Sequence, residues 1–331
     1  MGKTLIIAEA GANHNRHFYT AIRLIEAAVE AGADIVKFQT YTSTGLFAKQ
    51  DRDINGIKDI HSMFKDIELP REWQPDLKAY CDKVGIEFMS TPFDEEAVQQ
   101  LVDLGVKRLK ISGFESSDPR FVEMVCSTGL PIIMSIGIGF PLSKIHEFTS
   151  IFEKYNNDVT LLHCVNAYPT PMGQINLNKI DTLKGIYYKA NIGLSDHTES
   201  TLTPALAVIK GATVIEKHFT LSKHMEGPDH HFALDPKELK EMVWNVRQAE
   251  LSLLSGGDAE SQFINGKRSL VSTVDLNPGD HLNKFNTTTK RPYFDDSVPA
   301  IDYNDVLGER VYSFIPKDTI IKKSDLPAYY E

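Results

Sequence analysis

An α/β chain is predicted: a (β/α)8 TIM barrel followed by a small β-rich C-terminal module. Three observations carry this. Over the first ~250 residues, short apolar runs alternate with amphipathic stretches, as the βα units of a parallel sheet do. The apolar runs number eight, which suits a closed barrel better than an open doubly wound sheet. No G-x-G-x-x-G follows the first run, so the dinucleotide-binding signature of the doubly wound alternative is missing.

In order, the expected strands are Leu5–Glu9, Asp34–Gln39, Glu87–Thr91, Arg108–Ile111, Pro131–Ser135, Thr160–His163, Asn191–Ser195 and Val214–Phe219. The first helix, from about Thr20 to Ala31, carries Ile22, Ile25, Ala28 and Val29 on one side, and Gly32 caps it. Thr40 to Leu69 then separates the second strand from the next helix, a length at which a loop is usually functional or disordered. A helix bearing Leu and Met, at about Pro236–Leu254, closes the barrel. The stretch SGGDAESQFINGKRS, polar and with adjacent glycines, reads as a linker. The organisation is therefore a barrel over 1–255, a linker over 256–268 and a module over 269–331 with two similar turns, VDLNPGDHL and SFIPKDTII. A length of 331 residues agrees with about two domains.

The chain is 42% hydrophobic and 24% charged, as expected of a soluble protein with a sizeable core. Its net charge of −10 argues against nucleic acid and anionic membranes as partners. A small anionic substrate stays open, because local groups decide its binding. Cys81, Cys126 and Cys164 are widely spaced and form no CxxC pair, as expected of reduced core thiols in a cytoplasmic chain. The N-terminus enters a strand almost at once (KTLIIAEAG), and no apolar run approaches the ~18 residues that span a bilayer. A soluble, cytoplasmic protein without a membrane partner is expected.

In a TIM barrel the active site lies at the C-terminal ends of the strands. Those ends carry Glu9, Lys37 with Gln39, Ser90 with Thr91, Lys110 with Ser112, Ser135, His163 with Asn166, Ser195 with His197, and Glu216 with His218. A single lysine there commonly snorkels to solvent. Two lysines on interior positions of different strands would be costly without an anion between them. Alternation places Glu216 and His218 on one face of the last strand. If that strand neighbours Asn191–Ser195, His197 and His218 can converge on one divalent ion with a carboxylate in reach. Two histidines about twenty residues apart follow no ligand-spacing rule, and taken alone they read as packing residues rather than ligands. The combined reading is an anionic substrate held by two lysines and several hydroxyls, beside a metal on two histidines.

The motifs IIAEAGANHN, DIVKFQT, FMSTPFD, LKISGFE, LLHCVNAYPTP, IGLSDHT, VIEKHFT and GPDH resemble, in order and over nearly the whole chain, those of the sialic acid synthase family. That family includes synthases of N-acetylneuraminate and of legionaminate. The resemblance implies a metal-assisted condensation of phosphoenolpyruvate with an open-chain N-acetylmannosamine-type sugar, giving a nine-carbon 2-keto acid and phosphate. It implies a divalent cation, Mn²⁺ or Mg²⁺, on His197 and His218, and an acid at Glu9 with Glu216 as a second carboxylate. Lys37, Lys110, Ser135, Asn166 and Ser195 match phosphoenolpyruvate ligands. Glu115, Tyr168 and Asp229 match residues that meet the sugar. Many members read KIGSGE or KIASGE where this chain reads KISGFE, so their serine aligns with Gly113, and Ser112 substitutes from one position earlier. Phe114 resembles the pseudaminate synthases, whereas GPDH and HCVNAYP resemble the neuraminate and legionaminate branches. The acceptor is N-acetylmannosamine, its 6-phosphate or a diacetamido sugar.

The C-terminal module resembles the antifreeze-like (SAF) domain of the same family. Within its TKRP stretch, Arg291 matches an arginine that reaches the sugar in the partner subunit's site, which implies a domain-swapped homodimer. The family's RPGxG is here Arg291-Pro292-Tyr293-Phe294-Asp295. Two other classes remain open on the residues alone. A Schiff-base aldolase could use Lys110 or Lys37 as nucleophile, and the C-terminal module suggests a non-catalytic carbohydrate-binding protein.

Overall fold

The eight apolar runs form parallel strands: β1 (Leu5–Gly11), β2 (Ile35–Thr40), β3 (Glu87–Pro92), β4 (Leu109–Ile111), β5 (Ile132–Ile136), β6 (Val159–Cys164), β7 (Asn191–Asp196) and β8 (Val214–His218). In this computed structural model residues 2–48, 59–137, 140, 142–254, 256–257 and 259–329 are described, with the backbone alone at 142. The strand order is β3-β2-β1-β8-β7-β6-β5-β4, so the first and last strands pair directly, Leu5 opposite Val214 and Glu9 opposite His218. β3 and β4 lie against each other at the remaining seam. The arrangement is that of a TIM barrel. Strand ends differ from those expected by one or two residues, the usual scatter at element termini.

Period-two alternation sets the layers. Ile7, Ile35, Met89, Ile133, Leu162 and Val214 point inward and fill the barrel's lower interior. The opposite faces of the strands, with Ile6, Val36, Phe38, Leu161 and Ile215 among them, pack on the surrounding helices. β7 contributes no side chain to the inner layer, because Gly193 stands there. A Cβ on Gly193 would lie 2.3 Å from the Val214 carbonyl oxygen and 2.6 Å from Leu162 Cδ2, so the strands meet only because it is absent. Gly193→Ala is therefore expected to cost about 1–3 kcal/mol. Gly185, whose Cβ would meet nothing within 4 Å, is the control. Thermal melts should show Gly193→Ala falling and Gly185→Ala holding or rising; equal melting points would contradict this packing.

The first helix begins at Phe18 rather than Thr20 and ends on Gly32 in the left-handed conformation. The Thr40–Leu69 segment is not a plain loop. It contains helices at Ser43–Leu46 and Ile60–Ile67, while its residues 49–58 lie outside the described ones. The second helix is capped by the Asp59 carboxylate, which accepts from Ser62 N (3.0 Å). Its Phe64 packs on Phe47 and Tyr41, and Tyr41 meets Phe93, so aromatic burial organises this segment. The last barrel helix, Pro236–Ser252, starts in a capping box between Asp235 and Glu238 and packs on helices Thr203–Ile209 and Phe18–Ala31. Cys81, Cys126 and Cys164 are buried and free. Among the described residues no helix is long and apolar enough to cross a membrane.

Two compact units make up the chain, Met1–Leu254 and Ser255–Glu331. Residues 255 and 258, beside and within the expected linker, lie outside the described residues, and Ser261–Gly266 forms a 3-10 turn. The second unit pairs β9 (Ser269–Ser272) with β10 (Thr287–Lys290), antiparallel, around a core that includes Leu270, Leu276, Leu282, Val298 and Ile321. Its two similar turns pair with each other through Leu276 and Ile315, and both turn through positive φ, at Gly279 (+94°) and Asp318 (+61°).

Candidate active site

Two residues beyond the apolar layer, the same inward faces carry polar groups: Glu9, Lys37, Thr91, Ser135, Cys164 and Glu216, with Ser195 beyond Gly193. β4 adds Lys110. One further step along two of the strands come Gln39 and His218. The pocket they line is completed by Phe93, Ser112, Gly113, Phe114, Asn166, Tyr168 and His197 from the loops that follow the strands.

At its base two lysines and two carboxylates form one buried cluster. Lys37 Nζ donates to Thr91 Oγ1 (2.9 Å) and lies 2.9 Å from Glu9 Oε2 and 3.5 Å from Glu216 Oε1. Lys110 Nζ donates to Ser135 Oγ (2.8 Å) and the Ile111 carbonyl (2.9 Å) and lies 3.9 Å from the same Glu216 oxygen. Gln39 donates to Glu9 Oε1 (2.9 Å), and Ser195 donates to Glu216 Oε1 (3.3 Å). Burial pushes Glu9 up to about 7, with Lys37 pulling against it and Glu216 reinforcing it. Burial also opposes the Glu216 charge, but Lys110 and Lys37 overcome it and hold that carboxyl below its ordinary value. Lys37 is likewise raised against its burial by Glu216 and Glu9, whereas burial prevails at Lys110 and lowers it. Near neutral pH the Lys37 cation and the Lys110 amine thus face one ionised carboxylate and one half-protonated acid. The two lysines together can hold an anion.

Beside the cluster stand the two histidines, their ring centroids 5.4 Å apart. β7 and β8 are neighbours, with Ser195 opposite Glu216, as convergence of the two rings requires. His197 Nδ1 is 2.8 Å from the Val165 carbonyl. A carbonyl only accepts, so that nitrogen carries the proton and Nε2 presents its lone pair. His218 Nδ1 is buried without a hydrogen bond and lies 3.6 Å from Asp229 Oδ2. Burial lowers both imidazoles, His218 well below its ordinary value, so both are neutral donors. Burial raises Asp229 to about 6. Tyr168 lies over His197, centroids 4.2 Å apart, and Phe232 sits 5.2 Å from His218. Among the described residues no three His, Cys, Asp or Glu side chains form a ready metal centre.

Asn166 is seated by two glycines. A Cβ on Gly137 would lie 1.9 Å from its Oδ1, and one on Gly113 would lie 3.0 Å from its amide. Gly113 is thus part of this seat. Ser112 lines the pocket, but its hydroxyl also bonds the Glu115 carboxylate and accepts from Phe114 N (3.1 Å). Glu115 is half-buried one turn away, tied to the pocket through Ser112. Eleven residues expected to act in the reaction thus share the pocket, Glu9, Lys37, Lys110, Ser112, Ser135, Asn166, Tyr168, Ser195, His197, Glu216 and His218, together with the strand-end residues Gln39 and Thr91. Asp229 adjoins it through His218. Arg291 is in the second unit, exposed after β10.

Two strand-end residues turn the other way. His163 Nε2 meets the Ile175 carbonyl (2.6 Å) on the outer face of β6, and Ser90 bonds Thr40 (2.7 Å). Both are one residue out of step with the inward parity. Cys164, in step, lines the pocket and was missed. Asn15 and His230 were also missed: His230 bridges Thr220 Oγ1 (2.6 Å) and Asn15 Oδ1 (3.1 Å), joining the loops after β1 and β8. No local signal marks that contact.

Comparison with known proteins identifies the family. A family model described as the NeuB family matches residues 24–258, and one described as the SAF domain matches residues 267–327. The N,N'-diacetyllegionaminic acid synthase of Campylobacter jejuni is 36% identical over 338 residues, covering 98% of this chain and 100% of that one. A pseudaminic acid synthase of the same species is 34% identical over 335 residues, 98% and 96% of the two chains. The crystal structure of N-acetylneuraminic acid (sialic acid) synthetase from Leptospira borgpetersenii, in complex with citrate, superposes with a TM-score of 0.73 at 34% identity, over 80% of this chain and 90% of that one. With the family match spanning most of the barrel and the relatives aligned along nearly the full length, the chain belongs to the NeuB family and is an enzyme of that family carrying a SAF domain.

Proposed function

We propose that the chain condenses phosphoenolpyruvate with the aldehyde of an N-acetylmannosamine-type sugar, giving a nine-carbon 2-keto sugar acid of sialic acid or legionaminate type and phosphate. The observation that carries this is the buried Lys37–Glu9–Glu216–Lys110 cluster opening beside His197 and His218. Two separated lysines suit a substrate with carboxylate and phosphate ends, and the paired imidazoles suit a polarised aldehyde. The relatives' names, legionaminic and pseudaminic acid synthases among them, support the class of product.

In the reaction the enol carbon bonds to the aldehyde carbon, whose oxygen takes up a proton. The phosphate-bearing carbon becomes an oxocarbenium. Water adds there and gives up a proton, and the resulting phosphate ester expels phosphate to leave the ketone. Lys37 and Lys110 hold the anionic ends throughout, with Ser135, Ser195, Asn166 and Ser112. Glu115, Tyr168 and Asp229 meet the sugar. Glu216, kept ionised by both lysines, offsets the oxocarbenium charge. Glu9, poised near neutrality, takes the proton from water. The two neutral imidazoles of His197 and His218 would hold a divalent ion, and nitrogen donors suit Mn²⁺ better than Mg²⁺. When bound, the ion would polarise the aldehyde as a Lewis acid.

Glu9 acts ionised, and kcat/KM reports the free enzyme, so kcat/KM should fall as pH drops below about 7 and level off above it. Glu9→Gln should remove that limb along with most of the rate. A wild-type profile flat from pH 5 to 8 would contradict the role.

One observation favours a second reading. Burial lowers the Lys110 amine, as a Schiff-base nucleophile needs. Its ammonium is already aimed at Ile111, Ser135 and Glu216, which suits a held cation instead. Borohydride added with both substrates should trap nothing; an adduct on Lys110 or Lys37 would make the chain an aldolase.

The proposed working unit is a cytoplasmic, domain-swapped homodimer in which Arg291 completes the partner's sugar site. His218→Ala and Arg291→Ala chains, each inactive, should regain activity when mixed. A mixed dimer has one site with both lesions and one intact, so random exchange restores about a quarter of wild-type activity. Confirmed exchange with no recovery would place Arg291 in its own subunit's site or in none.

A further inference from the structure

The face of β7 and β8 turned away from the pocket holds an ion pair that the reaction does not use. Lys217, between Glu216 and His218, is fully buried, as is its partner Asp196, next to His197. Lys217 Nζ donates to Asp196 Oδ2 (2.7 Å), to the Thr198 carbonyl and to Thr198 Oγ1 (3.3 Å). Its three N–H groups are therefore all committed. Asp196 in turn accepts from Thr198 N (2.9 Å) and Thr198 Oγ1 (3.1 Å). One ammonium thus grips the residues on both flanks of His197, while its own backbone is bonded to that of His218.

We propose that Lys217, with Asp196 and Thr198, is a positioning device that fixes the spacing and aim of the His197 and His218 imidazoles. The inference rests on the reading that these two rings hold a divalent ion. Stability alone gives weak grounds for the pair, because buried ion pairs are commonly matched or bettered by apolar side chains of similar volume. What apolar side chains cannot supply is direction. They would fill the space yet leave the 196–198 turn free to shift against β8. Metal–nitrogen bonds tolerate only a few tenths of an ångström, and a site one ångström too loose loses function. The pair sits where such a shift would begin: Asp196 is directly opposite Lys217 in the strand register, and beyond them the chain leaves the sheet. His197 is also tied at Nδ1 to Val165 and at its carbonyl to Thr170 N (2.8 Å), so Lys217 supplies the fixation relative to β8.

The test replaces the pair by apolar residues, Lys217→Met with Asp196→Val, and measures Mn²⁺ binding by the paramagnetic resonance of free Mn²⁺, with phosphoenolpyruvate binding and thermal melting alongside. The expected result is a folded variant with Mn²⁺ affinity weakened about 10–100-fold and phosphoenolpyruvate affinity unchanged. A stabilising role alone would lower the melting point and leave Mn²⁺ affinity as it was; that outcome overturns the proposal. Should the double variant not fold, the near-isosteric Thr198→Val decides: weaker Mn²⁺ binding supports the device, and wild-type binding overturns it. His197→Ala and His218→Ala serve as controls for the underlying reading. If they bind Mn²⁺ like wild type, the metal assignment falls and this proposal with it. If they lose Mn²⁺ while the pair variants keep it, only the positioning role falls.

Discussion

Lys37→Ala should lose at least about a thousandfold in kcat/KM for phosphoenolpyruvate, the upper end of what one oriented electrostatic donor contributes. The side chain touches Thr91, Glu9 and Glu216 together, so its loss removes an anion ligand and also the cation between two buried carboxylates. Glu216 would keep Lys110 at 3.9 Å, while Glu9 would have only Gln39. With Lys37 gone, only the Gln39 hydrogen bond opposes burial at Glu9, whose pKa rises further and which stays protonated at pH 7. Protonation limits the structural damage, so the cost in stability should stay at or below the roughly 3–5 kcal/mol seen when one partner of a buried pair is removed. Steady-state kinetics and denaturant unfolding of the same preparation separate the two effects. A variant that keeps its affinity for phosphoenolpyruvate would remove Lys37 from the substrate site.

His218→Ala and His197→Ala should abolish product formation with the fold intact. Both rings stand at the outer ends of strands, and the apolar layer beneath them is untouched. Neither imidazole is an ion-pair partner that the core depends on: burial keeps both neutral, and His218 Nδ1 has no hydrogen bond. The loss should exceed about a thousandfold, since polarisation of the aldehyde contributes several kcal/mol to the barrier. Far-UV circular dichroism and melting should match wild type, and Mn²⁺ should no longer bind. Wild-type turnover after exhaustive chelation would defeat the metal assignment.

How much of this was legible in the sequence follows from the range of the forces involved. Strand alternation is local, so Glu9, Lys37 and Glu216 could be aimed inward from the apolar residue two positions before each, and His218 from Val214 four positions before it. The same rule, applied strictly, turns His163 and Ser90 outward and Cys164 inward; reading whole strand ends as functional blurred it. Asn166 is different. Its place depends on the absent side chains of Gly113 and Gly137, which belong to other loops. The link from Asn15 to His230 joins residues more than two hundred positions apart, and no period or spacing announces it. Lys217 stood in view between two site residues, yet its purpose shows only once Asp196 is found opposite it. Within the Thr40–Leu69 stretch, Ile60, Met63, Phe64 and Ile67 recur at helical spacing and so marked the second helix, whereas the meeting of Phe64 with Phe47 and Tyr41 shows only in the structure.

Incubating the purified full-length protein with phosphoenolpyruvate, Mn²⁺ and, in turn, N-acetylmannosamine, its 6-phosphate and a diacetamido sugar is the decisive measurement. Phosphate should be released only when the sugar is present, in equal amount to a new 2-keto acid whose mass is that of the sugar plus one pyruvic acid. Release without any sugar, or no release with any of the three, would contradict the proposed condensation.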